Sequence, residues 1–267
     1  MHDFEERVKK EYGDLFQASL ALIGIAAKVL PVQTDSSLHR VIRCLTASIT
    51  NSAGAVFLLC LNGHGADAVR VGRGMFEFLV TLKYLVLNPS ELRDFLDFDA
   101  VTRYKRLQFY KAHYQKLYDT FPQSKKTDVE HAFDQVRQRF TGKNSKLRDK
   151  WSKHSIAEMA RRSGLRAMYD VFYRYASTLH HVDPMGMGML IDGDVLEVRA
   201  APTTAHVGIA LGISDYVLLH ALRDYGKLRG FDNENALNHA EQLFEKSRFT
   251  SDSDAPLSSL VQTIPRT

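Results

Sequence analysis

Cysteine is scarce in this chain: Cys44 and Cys60 are the only two in 267 residues. They lie sixteen positions apart on one expected helix, so roughly 24 Å separates them at 1.5 Å per residue and no bridge can join them within it. A disulfide-built scaffold is excluded, and buried free thiols in a reducing compartment are expected. Metal-binding patterns are missing too. There is no HExxH, no paired Glu-x-x-His and no CxxC, so no metal is expected. The chain has no Walker A lysine motif and no GxSxG elbow. The glycines of GHGADAVRVGRG do not follow a strand, which rules out a dinucleotide loop, and no cofactor is expected.

Long apolar runs are also few. The N-terminal MHDFEERVKKEYGDLF is charged and has no apolar centre, so it does not read as a signal peptide. The most apolar run, Cys44 to Leu61, is barely long enough to span a bilayer and holds Ser48, Thr50, Asn51 and Ser52. A buried core helix is the expectation, with a cytoplasmic location and no membrane partner.

What the chain does have is helical periodicity over most of its length, with 45% hydrophobic and 25% charged residues. Pro31, the NGHG stretch at 62–65, Asn88-Pro89 and Pro122 punctuate the helices. Ser155 and Glu158 have the spacing of a capping box. Further helices are expected over about 165–181, 203–229 and 232–246. Two short apolar runs around Asp192-Gly193-Asp194 predict a small β-hairpin near 187–198. The predicted fold is mainly α: a single helical bundle over 1–247 with that one hairpin. A Ser/Asp/Pro-rich tail, 248–267, is expected to be disordered.

The net charge of +4 is unevenly placed. From Arg137 to Arg166 the chain carries ten Lys/Arg against Asp149 and Glu158. Lys143, Lys146, Arg148, Lys150, Lys153, Arg161 and Arg162 form a candidate nucleic-acid patch there, although a solvated loop and helix face has the same composition.

Two clusters are candidates for a site. On one helix Arg70, Arg73 and Glu77 lie within about 60° of one another, beside the apolar stripe of Phe76, Leu79 and Val80. They suit either an anion-binding wall or a structural ion pair. The second is YDVFYRYASTLHHVDP, residues 169–184. Arg174 and His181 differ by only about 20° in direction, whereas His180 lines up with Tyr169 and Tyr173, and Ser177 lies between the rows. A histidine as general acid or base with an arginine fork on the phosphate suits phosphodiester chemistry. The other reading is that both histidines simply favour a helix C-terminus. His206 and His220, within about 40° on the long helix, read as core residues that could share a pocket.

Several of these residues together resemble a known family. Arg73-Gly-Met-Phe-Glu77 is followed by Tyr84-Leu85; then come Trp151, Ser155-Ile156, Met159-Ala160, Gly164, Tyr169, Tyr173, Ser177, His181 and Pro184. In that order they resemble the bacterial domain-of-unknown-function family 5677, over about Arg70 to His220. The resemblance implies an α-helical fold in which the Arg/Glu helix and the Tyr/Ser/His helix build one pocket. It carries no activity. A more distant resemblance is to nucleases of the HEPN superfamily, helical bundles with Arg-x(4 to 6)-His, often in toxin or phage-defence systems. Arg174 to His180 has five intervening residues and Arg174 to His181 six. Those proteins place a polar residue after the arginine, where this chain has Tyr175.

That likeness implies a homodimer and a metal-independent endoribonuclease, or an RNA-binding module, with His181 or His180 as acid/base and Arg174 as phosphate clamp. The alternative expectation is a non-catalytic helical module. In it Arg70, Arg73, Glu77, Tyr173 and Ser177 support a site for a partner protein or a small anionic ligand.

Overall fold

The structure, a computed structural model, describes residues 2–33, 36–142, 145–181, 184, 191–192, 197–198 and 202–247. The chain is mainly α-helical. It forms two compact units: Met1–Leu87 with Ile156–Thr267, and Asn88–Ser155.

In the larger unit, α1 (His2–Val29) is kinked at Tyr12. It is followed by α2 (Ser37–Leu61) and α3 (Gly65–Leu87). Each carries an apolar stripe at helical spacing. On α2 the stripe is Ile42, Leu45, Ile49, Ala53, Val56 and Cys60, and on α3 it includes Phe76, Leu79, Val80 and Leu82. α2 is long and apolar enough to cross a membrane by length and composition. Cys60 is buried but Cys44 is exposed, so only one of the two thiols lies in the core.

The NGHG turn between α2 and α3 needs its glycines. Gly63 has φ +78°, and a Cβ there would sit 2.6 Å from the Phe4 ring. A Cβ at Gly65 would overlap the carbonyl oxygen of Ala205, because the chain around Thr203 bridges back to His64. Close backbone approach, not phosphate binding, explains these glycines.

After the smaller unit come α7 (Ile156–Arg162), the single turn α8 (Arg166–Met168), a five-residue π-helical turn (Tyr169–Tyr173) and α9 (Arg174–His180). The long α10 (Val207–Arg229) packs on α2 and α3, and α11 (Glu234–Ser247) packs on α1. α10 starts later than expected because His206 has φ +65° and stands outside the helix. His206 therefore does not share a helical face with His220. Its Nδ1 is 2.9 Å from the Tyr175 hydroxyl.

The expected hairpin falls largely outside the described residues. Of it, only the two-residue strands Ile191–Asp192 and Glu197–Val198 are described; they pair antiparallel and add no sheet layer to a helical fold. The expected tail, 248–267, also lies outside the described residues.

One arginine clamps α11 to α10. Arg223 donates to both carboxylate oxygens of Glu241 (3.0 and 2.8 Å), to Asn238 Oδ1 (2.7 Å) and to Glu234 (3.2 Å). Arg223→Ala is expected to cost about 2–3 kcal/mol. That is below the range for a fully enclosed pair, because both glutamates stay partly wet. Limited proteolysis should then cut within α11 first, whereas wild type resists there.

The smaller unit contains α4 (Leu92–His113), α5 (Gln115–Thr120) and α6 (Gln123–Phe140). Its core is Val101, Phe133, Val136 and Phe140, closed by Phe98, Tyr104 and Leu147. Tyr104 stacks on Phe133 with centroids 3.8 Å apart, and Phe95 meets Trp151 edge-on at 5.2 Å.

Candidate functional site

α3 and the helix after the π turn meet through a closed polar knot. Arg73 is its centre. Its Nε donates to Ser177 Oγ (3.1 Å), one terminal nitrogen donates to the Tyr173 hydroxyl (2.8 Å), and the other lies 3.2 Å from Glu77 Oε1. The Tyr173 hydroxyl donates to the same Glu77 oxygen at 2.7 Å, and Ser177 Oγ donates to the Tyr173 carbonyl at 2.7 Å. The guanidinium also lies over the Tyr173 ring, 4.7 Å from its centroid. One turn away, Arg70 Nε donates to the Leu179 carbonyl at 2.7 Å, and its guanidinium pairs with Asp67. The expected partnership of Arg70, Arg73, Glu77, Tyr173 and Ser177 thus divides in two. The last four form the knot, and Arg70 separately caps a carbonyl near the end of α9.

The knot is mostly enclosed. The Arg73 side chain is 17% exposed, while Glu77 keeps a wet edge at 42%. Burial first, then the bond to Glu77, pushes the Tyr173 phenol above its ordinary value, so it stays a donor through the physiological range. All three guanidinium nitrogens of Arg73 face protein acceptors. These contacts use three of its five N–H groups.

The π turn positions Tyr173. Its i→i+5 pattern widens the helix by a residue, and π turns recur at functional sites. Tyr169 stacks on Tyr173 at 4.9 Å, with Phe76 of α3 5.8 Å away on the tyrosine's other contact. The turn breaks the regular 100° step assumed from the sequence, so His180 does not continue the Tyr169–Tyr173 row by simple helical geometry.

Arg174, His180 and His181 stand apart from the knot. All three are exposed. α9 ends at His180, and His181 is already extended (φ −90°, ψ 154°), so the alignment of Arg174 with His181 across seven helical positions does not extend to the last residue. The two histidine rings meet edge-on at 5.1 Å. Among the described residues, no hydrogen bond or ion pair joins Arg174 to either histidine.

Five arginines of the basic segment are paired locally. In the smaller unit, Arg139 binds Asp94 (2.8 Å) and Asp97, and Arg148 reaches Asp94 (3.4 Å) and the Arg139 carbonyl (3.1 Å). Lys105 bonds Asp149 at 2.8 Å, and that carboxyl is held below its usual range, first by this bond and then by lysines including Lys146 and Lys150. In the larger unit, Arg161 and Arg162 both grip Glu158 at 2.7 Å, which holds its carboxyl down at about 2. Arg166 pairs with Asp170. Of the expected patch, Lys153 is exposed and Lys143 lies outside the described residues. The patch also divides between the two units, with Lys146, Arg148, Lys150 and Lys153 in one and Arg161 and Arg162 in the other.

Two buried titratable groups lie on α10: Asp215, which went unnoticed in the sequence, and His220, which was read there as a core residue. Asp215 on α10 is 1% exposed; its Oδ1 accepts from Ser19 Oγ at 2.6 Å, and Oδ2 has no hydrogen-bond partner among the described residues. Burial pushes this carboxyl well above its ordinary value. His220, against Tyr216 with ring centroids 4.3 Å apart, is held down at about 4, first by burial and then by Lys83 and Arg223. The available signal for Asp215 was its position inside the apolar run 207–222.

Fold and site together define a mainly helical protein in which an arginine-centred knot ties α3 to α9. Residues 39–195 match a family of unknown function, DUF5677, and the chain belongs to that family. The match contains the knot and the whole smaller unit. No curated protein and no solved structure matches the chain.

Proposed function

We propose that this chain is a non-catalytic helical module that binds an anionic partner, with the Arg73–Glu77–Tyr173–Ser177 knot as its internal lock. The observation that carries this reading is that each guanidinium nitrogen of Arg73 is tied to a protein acceptor. A catalytic arginine turns its fork on the transition state, whereas the fork of Arg73 is turned on Ser177, Tyr173 and Glu77. In a mostly enclosed setting such a network fixes the approach of two helices.

A second reading keeps a metal-independent, HEPN-like ribonuclease, and one observation favours it. Arg174, His180 and His181 are solvent-reachable, and the two imidazoles touch at the end of one helix. His181 would act as acid/base and Arg174 would clamp the phosphate, within a homodimer as the HEPN likeness implies.

An RNA cleavage assay in EDTA across pH 5.5 to 8.5, with wild type, Arg174→Ala and His181→Ala, separates the two. The proposal expects intact RNA with all three proteins. Cleavage by wild type that is lost in His181→Ala would replace it with the ribonuclease.

A further inference from the structure

The smaller unit carries a face that the basic segment's ion pairs do not neutralise. From Arg103 to Lys126 there are seven Lys/Arg and one acid, Asp119, with six aromatic residues interleaved. Its positive charge is about as dense as in the 137–166 segment, and it carries six aromatic residues where that segment has Phe140 and Trp151. Lys105 and Arg103 are taken by Asp149 and Asp99. Among the described residues, Arg106, Lys111 and Lys116 form no ion pair, and all three are exposed.

The rings have an unusual setting as well. Arg106, Phe109, Tyr110 and His113 recur at the three- and four-residue spacing of one helical stripe. The helix then breaks at Tyr114 (φ −139°, ψ 57°), which turns α5 away and leaves the rings at a corner. Phe109 is the hub, with centroids 4.9 Å from His113, 5.6 Å from Tyr114 and 6.2 Å from Tyr110. Tyr110 stacks on Phe121 at 5.8 Å, so the inner side of the cluster is anchored. The outer side is open: Phe109 is 50% exposed, Tyr114 55% and Leu117 45%. A monomer that leaves these rings in water beside unpaired cations has a surface of the kind that marks a binding site.

We infer that this corner of α4 and α5 is a docking surface for single-stranded nucleic acid. The inference rests on the binding-module reading and names its partner. Flat ring faces take stacked bases of any sequence, and adjacent unpaired cations take the phosphates; that pairing of features is how single strands are held without sequence readout. Arg103 to His113 spans about 15 Å of helix, room for about four bases at 3.4 Å each. An acidic peptide would use the cations but would gain little from open ring faces. A duplex would bury its bases away from them.

The test is fluorescence anisotropy with a labelled 20-nucleotide oligouridine, the matching duplex and polyglutamate, using the full chain in EDTA. Phe109→Ala/Tyr114→Ala removes two exposed rings and leaves the anchored Tyr110–Phe121 stack. Lys111→Gln/Lys116→Gln removes two cations, and Lys150→Gln/Lys153→Gln is the control. The expected result is oligouridine binding that weakens at least tenfold in the ring variant. The cation variant should lose affinity and also salt dependence, and the control should match wild type. Circular dichroism confirms that each variant is folded.

Oligouridine binding unchanged in the ring variant, tighter binding to polyglutamate or duplex, or no oligouridine binding at all would overturn the surface. Cleavage of the oligouridine in EDTA would instead overturn the non-catalytic reading while leaving the surface open to the ring comparison.

Discussion

Arg73→Ala is expected to lower stability by about 3 kcal/mol, the lower end of what breaking a buried charge pair costs, since Glu77 keeps some water. For a unit of this size that is a fall in thermal midpoint on the order of 10 °C. The loss is large because one substitution strands three groups. The Tyr173 hydroxyl loses its donor, Glu77 loses its ion pair, and Ser177 Oγ loses the N–H it accepts. The ring of Tyr173 loses its cation as well. Arg73→Lys should recover only part, because a lysine ammonium cannot present three donors in the planar fork that meets Ser177, Tyr173 and Glu77 together. Thermal unfolding by circular dichroism measures this. An unchanged midpoint would mean that the helices are held by apolar packing alone.

The second large effect is a pH dependence that single substitutions uncover. Asp215 is enclosed, and burial raises its carboxyl well above the ordinary 3.8, so it stays neutral in the fold where the unfolded chain ionises it. Unfolding then releases a proton. Stability therefore falls as pH rises above about 3.8, at about 1.4 kcal/mol per pH unit, until the folded carboxyl titrates.

His220 acts with the opposite sign. Its imidazole is held at about 4 against an ordinary 6.5, by burial and by Lys83, Arg223 and Lys227, with Glu241 opposing. Unfolding takes up a proton between those values, so stability falls as pH drops from 6.5 towards 4, with a similar slope.

Where the two ranges overlap, the slopes oppose each other in wild type. Asp215→Asn keeps the acceptor for Ser19 and removes the ionisation. It should uncover the His220 slope below pH 6.5 and gain on wild type above it. His220→Gln should uncover the reverse, with stability rising as pH falls towards 4. Urea unfolding at pH 4.5, 5.5, 6.5 and 7.5 shows both effects, and shared background drops out between variants. Parallel pH curves for all three proteins would contradict this account.

Much of the helical order is readable because this chain punctuates itself. Pro89 opens the turn before α4, Pro122 precedes α6, and the NGHG glycines sit where two backbone segments touch. The breaks that went unread have no such marker. Tyr114 and the π turn at Tyr169–Tyr173 contain neither Pro nor Gly, so only packing places them. The site is legible to the same extent. Arg73 and Glu77 are four apart on one helix and can be paired from sequence, but Tyr173 and Ser177 reach them from about a hundred residues away. Charge totals mislead for a related reason. Arg139 and Arg148 add to the basic count of their segment, yet Asp94 and Asp97, far earlier in the chain, pair with them in the fold.

The lock itself is tested most directly by a double-mutant cycle between Arg73→Ala and Tyr173→Phe, read by urea unfolding at pH 7. A mutual bond in a mostly enclosed network gives a coupling energy of about 1–2 kcal/mol, so the double variant should lose that much less than the two single losses combined. Losses that simply add would contradict the account, because Arg73 and Tyr173 would then not be acting as one lock.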